Sequence, residues 1–331
     1  MNHSGLELRA RCPGFLCVND RTEIVAELIN HSRQPMEIEL GVRAEGLKTG
    51  PCQFRLELAA GQCHSLSLEL ESRQAGLARL QLVARTDTIC EVRNYDLPVH
   101  EPTVPWVRLF QSALEESLEL NWEQPPQQVH LEVRCPNPVT NHPTEIRGRL
   151  RVGTGAQTWL EESFGRWKPP QRWLLPRLQG PLWLDWQRQA GPELLIQLQW
   201  EERLPAGQLP EGAFRLKRTV TRRKKEMEAR EGVYRVPLGA VIVMHLDLME
   251  PLPDRACAEL YLPYPGGFEV LESQATLDNG VAHIRSDRGV TVTLRARHPG
   301  RYCLRPAWAF VYNQPHLRSA CPGAHFVIEA P

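Results

Sequence analysis

Ile24-Val25-Ala26-Glu27-Leu28-Ile29-Asn30 and, shortly after it, Met36-Glu37-Ile38-Glu39-Leu40-Gly41-Val42 are the segments whose reading decides the fold. Ile24, Ala26 and Leu28 fall on every second residue, and so do Met36, Ile38, Leu40 and Val42. A period of two puts one face of a strand in a core and leaves the other to water. The pattern continues outward in Phe54, Leu56 and Leu58, in Leu66, Leu68 and Leu70, and in Leu80, Leu82 and Ala84. Short alternating runs that recur roughly every ten residues, each followed by turn residues, predict a β-sandwich. Residues 1–102 are expected to make one such domain.

The alternation resumes beyond Pro102 and Pro105 in Leu118, Leu120 and Trp122, then in Val129, Leu131 and Val133. Pro136-Asn137-Pro138-Val139-Thr140-Asn141-His142-Pro143 interrupts it, because prolines at this density have no place in a central strand. Strands are predicted again at 150–152, 182–186 and 196–200, and a third block from Gly232 onward holds runs at 242–248, 259–262, 290–294 and 326–329. Helical signal is weak. The best stretch, residues 222–231, is charged on every side and has no apolar face to bury. It is expected to be an exposed hairpin tip or a short surface helix. Its Arg222-Arg223-Lys224-Lys225 run reads as a solvated edge or, alternatively, as an anion-binding patch weakened by Glu226, Glu228 and Glu231.

The 331 residues suffice for two or three domains with cores of their own. Lys and Arg total 39 and so do Asp and Glu, and this zero net charge argues against a nucleic-acid partner. No apolar run is long enough for a membrane span. The N-terminal MNHSGLELRARC has no charged segment followed by an apolar one, so no secretory signal is expected there. The nine cysteines form no CxxC pair and no Cys/His cluster with zinc-ligand spacing, so no metal site is predicted. They read as buried, reduced, core-filling thiols, with disulfides as the alternative in an exported chain.

The motifs of catalysis are missing from the sequence. It holds no HExxH, no Walker loop and no GxSxG, and Gly153-Thr154-Gly155 is a turn rather than a phosphate cradle. His298 and His325 flank turn residues and read as solvated. No catalytic residue and no cofactor is predicted. The tryptophans are more informative, since eight of the nine lie between Trp106 and Trp200. They read as an aromatic core or, more sharply, as a recognition face that includes Trp167, Trp173, Trp183 and Trp186. Trp183 and Trp186 are three residues apart, so on a strand they fall on opposite faces. At least one is therefore expected at the surface or at a domain interface.

Several short motifs, in order, resemble a known family. Pro13-Gly14-Phe15-Leu16, Asn19-Asp20-Arg21 and the strand ending in Asn30 resemble the macroglobulin domain that precedes the thioester domain of bacterial α2-macroglobulins. The family has Gly where this chain has Asn19, and Asn also tolerates a positive φ. Leu262-Pro263-Tyr264-Pro265-Gly266-Gly267-Phe268-Glu269, Ser286-Asp287-Arg288, His298-Pro299-Gly300-Arg301-Tyr302 and Pro306-Ala307-Trp308-Ala309-Phe310-Val311-Tyr312 resemble the family's last domain, and Phe214-Arg215-Leu216-Lys217-Arg218 is similar to the strand that enters it.

The resemblance implies three consecutive sandwiches: macroglobulin-like at 1–102, CUB-like at 103–213 and macroglobulin-like at 214–331, with the helical thioester domain absent near 136–145. The middle lacks the family's Gly-x-Gly-x-Leu-Tyr-Tyr run; its nearest stretch is Gly191-Pro192-Glu193-Leu194-Leu195. No cysteine carries the family's Cys-Gly-Glu-Gln thioester pattern; Gly61-Gln62-Cys63-His64 has the wrong order. Covalent capture needs an activated nucleophile or acyl group. The expectation is thus a non-catalytic interaction or scaffold protein. By resemblance its partner is a protease or an envelope protein, and its compartment the periplasm or the cell exterior. The alternative is a carbohydrate-binding or adhesion module that uses the tryptophan-rich middle.

Overall fold

A computed structural model describes residues 5–122, 126, 128–134, 147–164, 171–178, 180–190, 193–252 and 256–330. Among these residues the structure is all-β, with one 3-10 turn at Ala206–Gln208 and no α-helix. The proline-rich stretch at 136–145 and Trp167 lie outside the described residues.

The alternating runs form the strands Arg21–Asn30, Met36–Glu45, Gln53–Leu58, Cys63–Ser72 and Gly76–Arg85. On Arg21–Asn30, every second residue from Thr22 to Asn30 is buried. Each fully buried Leu or Ile on such a face stabilises the fold by about 1.5–3 kcal/mol. Asn30 ends the inward row with a polar group that is fully satisfied. Its amide donates to the carbonyls of Gln34, Leu58 and Ala59 at 2.8, 3.0 and 3.1 Å, and its Oδ1 accepts from Ser32 N. A buried carboxamide ends this strand because its two N–H groups, one of them shared, satisfy the carbonyls of Gln34, Leu58 and Ala59 together.

The chain divides into two compact units: residues 1–104 together with 205–331, and residues 105–204. In the first unit, Leu16–Cys17, Cys90–His100, Gly76–Arg85, Met36–Glu45 and Gln53–Leu58 make one sheet. Opposite it runs a seven-stranded sheet that joins the two ends of the chain. Its N-terminal members are Leu6–Arg11, Arg21–Asn30, Cys63–Ser72 and Leu47–Thr49. Its C-terminal members are Val233–Pro237, Ala324–Glu329 and Gly300–Leu304. The seam is two residue pairs long: Gly300 opposite Thr22 and Arg301 opposite Arg21.

Two further five-stranded sheets complete the C-terminal half of this unit. One holds Leu216–Arg222, Lys225–Glu226, Val241–Leu248, Gly289–Ala296 and Phe268–Ser273. The other holds Thr276–Asp278, Val281–Ser286, Ala258–Pro263, Ala307–Val311 and Gln314–Cys321. One continuous apolar core, from Leu6 to Ile328, runs through the unit.

The second unit is a sandwich of two four-stranded sheets. One contains Thr103–Leu114, Leu194–Pro205, Val129–Arg134 and Gln171–Leu175. The other contains Ser117–Leu120, Leu182–Ala190, Arg147–Thr154 and Gln157–Phe164. Leu131, Val133, Leu150, Val152, Leu184 and Leu198 fill the space between them.

Candidate functional site

The structure separates the tryptophans singled out by sequence. Trp186 is 2% exposed and packs edge-on against Phe164 with ring centroids 5.6 Å apart. Gly148 makes room for it, since a Cβ there would lie 2.4 Å from Trp186 Cη2. Trp183, on the opposite face, is half-buried. It lies across Gly153, donates its indole N–H to the Gly155 carbonyl at 2.9 Å and carries the Arg151 guanidinium 5.9 Å from its ring. Trp173 is half-buried in the other sheet, opposite Leu131. The odd spacing of 183 and 186 thus divides the faces as the strand period requires. Among the described residues no tryptophan is exposed, and Trp122, Trp159, Trp173 and Trp200 pack against the core.

The basic run forms a hairpin rather than a helix. Arg223 and Lys224 sit at its two-residue tip with φ of 51° and 64°, between Thr221–Glu226 and Arg222–Lys225 pairs. This is the left-handed pair that a tight antiparallel turn demands. Arg223, Lys224 and Lys225 are exposed and Arg222 is half-buried. Glu226 pairs with Lys217 at 3.5 Å.

The cysteines depart from the core-filling reading. Cys17 and Cys321 are buried and Cys12 and Cys303 partly so, but Cys52, Cys63, Cys90 and Cys257 are exposed. Strand alternation explains this: Cys63 and Cys90 start their strands on the outer face, where the burial period excludes them from the core. His298 is half-buried rather than fully solvated, whereas His325 is exposed. The His298 imidazole pKa is lowered by burial first and by Arg297 and Arg11 next.

Sequence reasoning missed what the short motifs do. Those from the two ends of the chain meet at the seam of the first unit. Phe15 packs edge-on against Tyr264 at 5.6 Å. A Cβ on Gly266 would sit 2.1 Å from the Phe15 carbonyl oxygen, and one on Gly280 2.3 Å from Phe15 Cζ. Gly267 lies against the Tyr302 ring, where a Cβ would come within 2.3 Å. The Tyr302 and Thr22 hydroxyls hydrogen-bond at 2.6 Å, across the seam. Glycines at these positions are places where another backbone or ring comes too close for any side chain.

Asp20 is the polar centre of the seam. Asn19 takes φ of 70°, and this turns the chain so that the Asp20 carboxyl points inward. Its Oδ2 accepts from Cys17 N at 2.7 Å and its Oδ1 from Cys303 N at 2.6 Å. One carboxyl thus continues the sheet after its last main-chain pair, Arg301 with Arg21. Ser72 closes the turn: its hydroxyl donates to the Cys17 carbonyl at 2.5 Å, and Asp20 N donates to it at 3.1 Å. Burial raises the Asp20 pKa to about 7, against the opposing pull of the two N–H bonds and of Arg305. Arg305 is itself buried and donates to the carbonyls of Asn279 and Gly280, both at 3.1 Å.

A second constellation lies on the sheet that contains Ala258–Pro263. His283, Tyr261 and Trp308 are cross-strand neighbours that stack almost in parallel: Tyr261 to His283 at 4.3 Å and 11°, Tyr261 to Trp308 at 5.0 Å and 5°. The next row holds Arg285, Glu259, Phe310 and Arg318. Glu259 bonds His283 Nε2 at 2.5 Å and Arg285 Nε at 2.7 Å. Burial would raise its pKa, but these two partners outweigh it and hold the carboxyl below its usual range. Glu259 is flanked by Ala258 and Leu260, and all three are buried, so this strand is covered on both faces, which its sequence alone did not show. Among the described residues no cluster of three or more His, Cys, Asp or Glu could hold a metal ion.

The seam and its sheets define an all-β protein in which sandwiches from the two ends of the chain share one sheet and the intervening residues form a sandwich of their own. The fold is similar to that of the C-terminal region of bacterial α2-macroglobulin. The chain superimposes on native Escherichia coli α2-macroglobulin from domain MG7 to the C-terminus with a TM-score of 0.63, at 8% identity, over 98% of this chain and 99% of that one. It matches the E. coli protein activated by porcine elastase with a TM-score of 0.67, at 8% identity, over 98% of this chain and 56% of the other. For Salmonella α2-macroglobulin reacted with methylamine the TM-score is 0.59, at 9% identity, over 98% and 41%. The chain therefore spans about half or less of these two longer macroglobulins. No protein-family model matches the sequence, and no curated protein matches it.

Proposed function

We propose that this chain is a non-catalytic, macroglobulin-like interaction protein that holds a protein partner without bonding to it covalently. The observation that carries this reading is a match over 98% of the chain to the MG7-to-C-terminus region, in a sequence with no Cys-Gly-Glu-Gln thioester. In this reading 1–102 and 214–331 are macroglobulin-like sandwiches, 103–213 is CUB-like, and the thioester domain is absent near 136–145. A protease or an envelope protein is the partner, the former in keeping with the trypsin- and elastase-activated forms of the E. coli protein. Residue placement lends the sugar-binding alternative less support, because every described tryptophan is buried or half-buried.

The test is to mix the full chain with trypsin or elastase and compare native size-exclusion profiles with denaturing gels. A complex that elutes together, dissociates in SDS and is indifferent to methylamine is expected. An SDS-stable conjugate, or stoichiometric incorporation of methylamine, would refute the non-covalent reading. Binding of glycans with no binding of proteases or envelope proteins would transfer the assignment to the sugar-binding alternative.

A further inference from the structure

Two thiols at the seam have no part in the reading above. Cys17 ends the strand Leu16–Cys17 and is fully buried, whereas Cys303 lies within Gly300–Leu304 and is partly open. They come from opposite ends of the chain. Their N–H groups bond the two oxygens of the one Asp20 carboxyl, at 2.7 and 2.6 Å, and this fixes the two backbones on either side of it. The strands Leu16–Cys17 and Gly300–Leu304 run close together there, each thiol acts on the other, and both are free. We propose that Cys17 and Cys303 are a reversible dithiol–disulfide pair that staples the N-terminal part of the first unit to its C-terminal part, closed by exchange with a low-molecular-weight disulfide such as oxidised glutathione.

The two thiols have different roles. Cys303 is the one solvent can reach, and its neighbour Cys17 lowers its pKa, with Arg305 and Arg218 acting in the same direction against burial and Asp20. Cys303 in turn raises the Cys17 thiol, as do burial and Asp20. The thiolate is the attacking species. Cys303 therefore attacks the external disulfide, forming a mixed disulfide and releasing one thiol. Cys17 then loses its proton and attacks Cys303 Sγ, forming the Cys17–Cys303 bond and expelling the second thiol. In sum two protein thiols and one small disulfide give one protein disulfide and two small thiols, so the external disulfide takes up the two electrons and both protons. In a reducing compartment the pair stays open, and in an oxidising one it closes. This inference stands independently of the partner proposed above.

The test is to treat the folded full chain with oxidised glutathione, quench in acid and map peptides without reduction. A peptide pair linked through Cys17 and Cys303 is expected, released by dithiothreitol. Closing this long loop should raise the Tm of the first unit by roughly 5–10 °C, reversibly. In Cys17→Ala, which lacks the resolving thiol, a glutathione adduct on Cys303 should accumulate several-fold above wild type. In Cys303→Ala, the buried Cys17 should stay unmodified. The proposal is overturned if the wild-type map holds no Cys17–Cys303 link while the exposed cysteines react, or if Cys303 carries the same amount of adduct in wild type and Cys17→Ala. The wild-type map decides the matter even if a variant fails to fold.

Discussion

Asp20→Asn tests whether the seam is held by a protonated carboxyl. An unfolded Asp titrates near 3.9, whereas burial raises Asp20 to about 7. Between these values the folded chain keeps a proton that the unfolded chain has lost. The stability linked to that proton is fully present below the unfolded pKa and is lost as pH rises through about 7. Between about pH 5 and pH 8 the loss amounts to roughly 2–3 kcal/mol. Asn cannot ionise, so the variant lacks this slope.

Asn can accept from only one of the Cys17 and Cys303 N–H groups, since its amide N–H faces the other. This leaves a pH-independent deficit of about 1–3 kcal/mol. Partial desolvation lowers the His298 and His325 imidazoles, so their contribution is lost as pH falls through the folded values. That trend is opposite in sign and cancels in the wild-type-minus-variant difference. Calorimetry is the suitable assay, because eight of the nine tryptophans lie within 105–204 and fluorescence would report on the wrong unit. The wild type should hold its largest advantage near pH 5, and that advantage should shrink toward pH 8. An advantage that stays flat or grows with pH would mean that the N–H bonds and Arg305 keep Asp20 ionised, and the reasoning from burial would be wrong.

Gly280→Ala puts a Cβ 2.3 Å from Phe15 Cζ at a residue with φ of 77°, and should destabilise the first unit by about 2–4 kcal/mol in urea unfolding. Adding Phe15→Leu should recover part of that loss, and a double-mutant cycle measures the coupling. Trp186→Ala should cost about 3–5 kcal/mol as a cavity in the second unit, whereas Trp183→Ala should cost less than half as much. Equal losses at the two sites would contradict the division of faces. Replacing Arg223-Lys224 by Asn-Gly, the pair suited to two left-handed residues, should stabilise the hairpin by roughly 0.5–1 kcal/mol, read as a shift in urea midpoint. Glu259→Gln should leave His283 and Arg285 without their anion, and the difference from wild type should vanish as the medium falls through the depressed carboxyl pKa.

The strands were legible because each buries one face, and a buried face writes a period of two into a segment whatever surrounds it. Ile24, Ala26 and Leu28 announce their strand without help from the rest of the chain, and so do Leu131, Val133 and their neighbours. The same rule divides Trp183 from Trp186. It also made Asn19 readable, since a positive φ is a local property of the residue. The order of the short motifs was visible too, and with it the resemblance to the macroglobulin fold. Which residues those motifs touch was not. Phe15 and Gly280 are far apart in the chain, and nothing in the local pattern of either shows that one supplies the ring and the other the space for it. The Asp20 carboxyl and the thiols of Cys17 and Cys303 become one group only when Gly300–Leu304 pairs with Arg21–Asn30. Sequence alone thus determined the elements, because their signals are short-range. Tertiary structure alone decided the seam, because a two-pair junction between distant strands leaves no periodic trace.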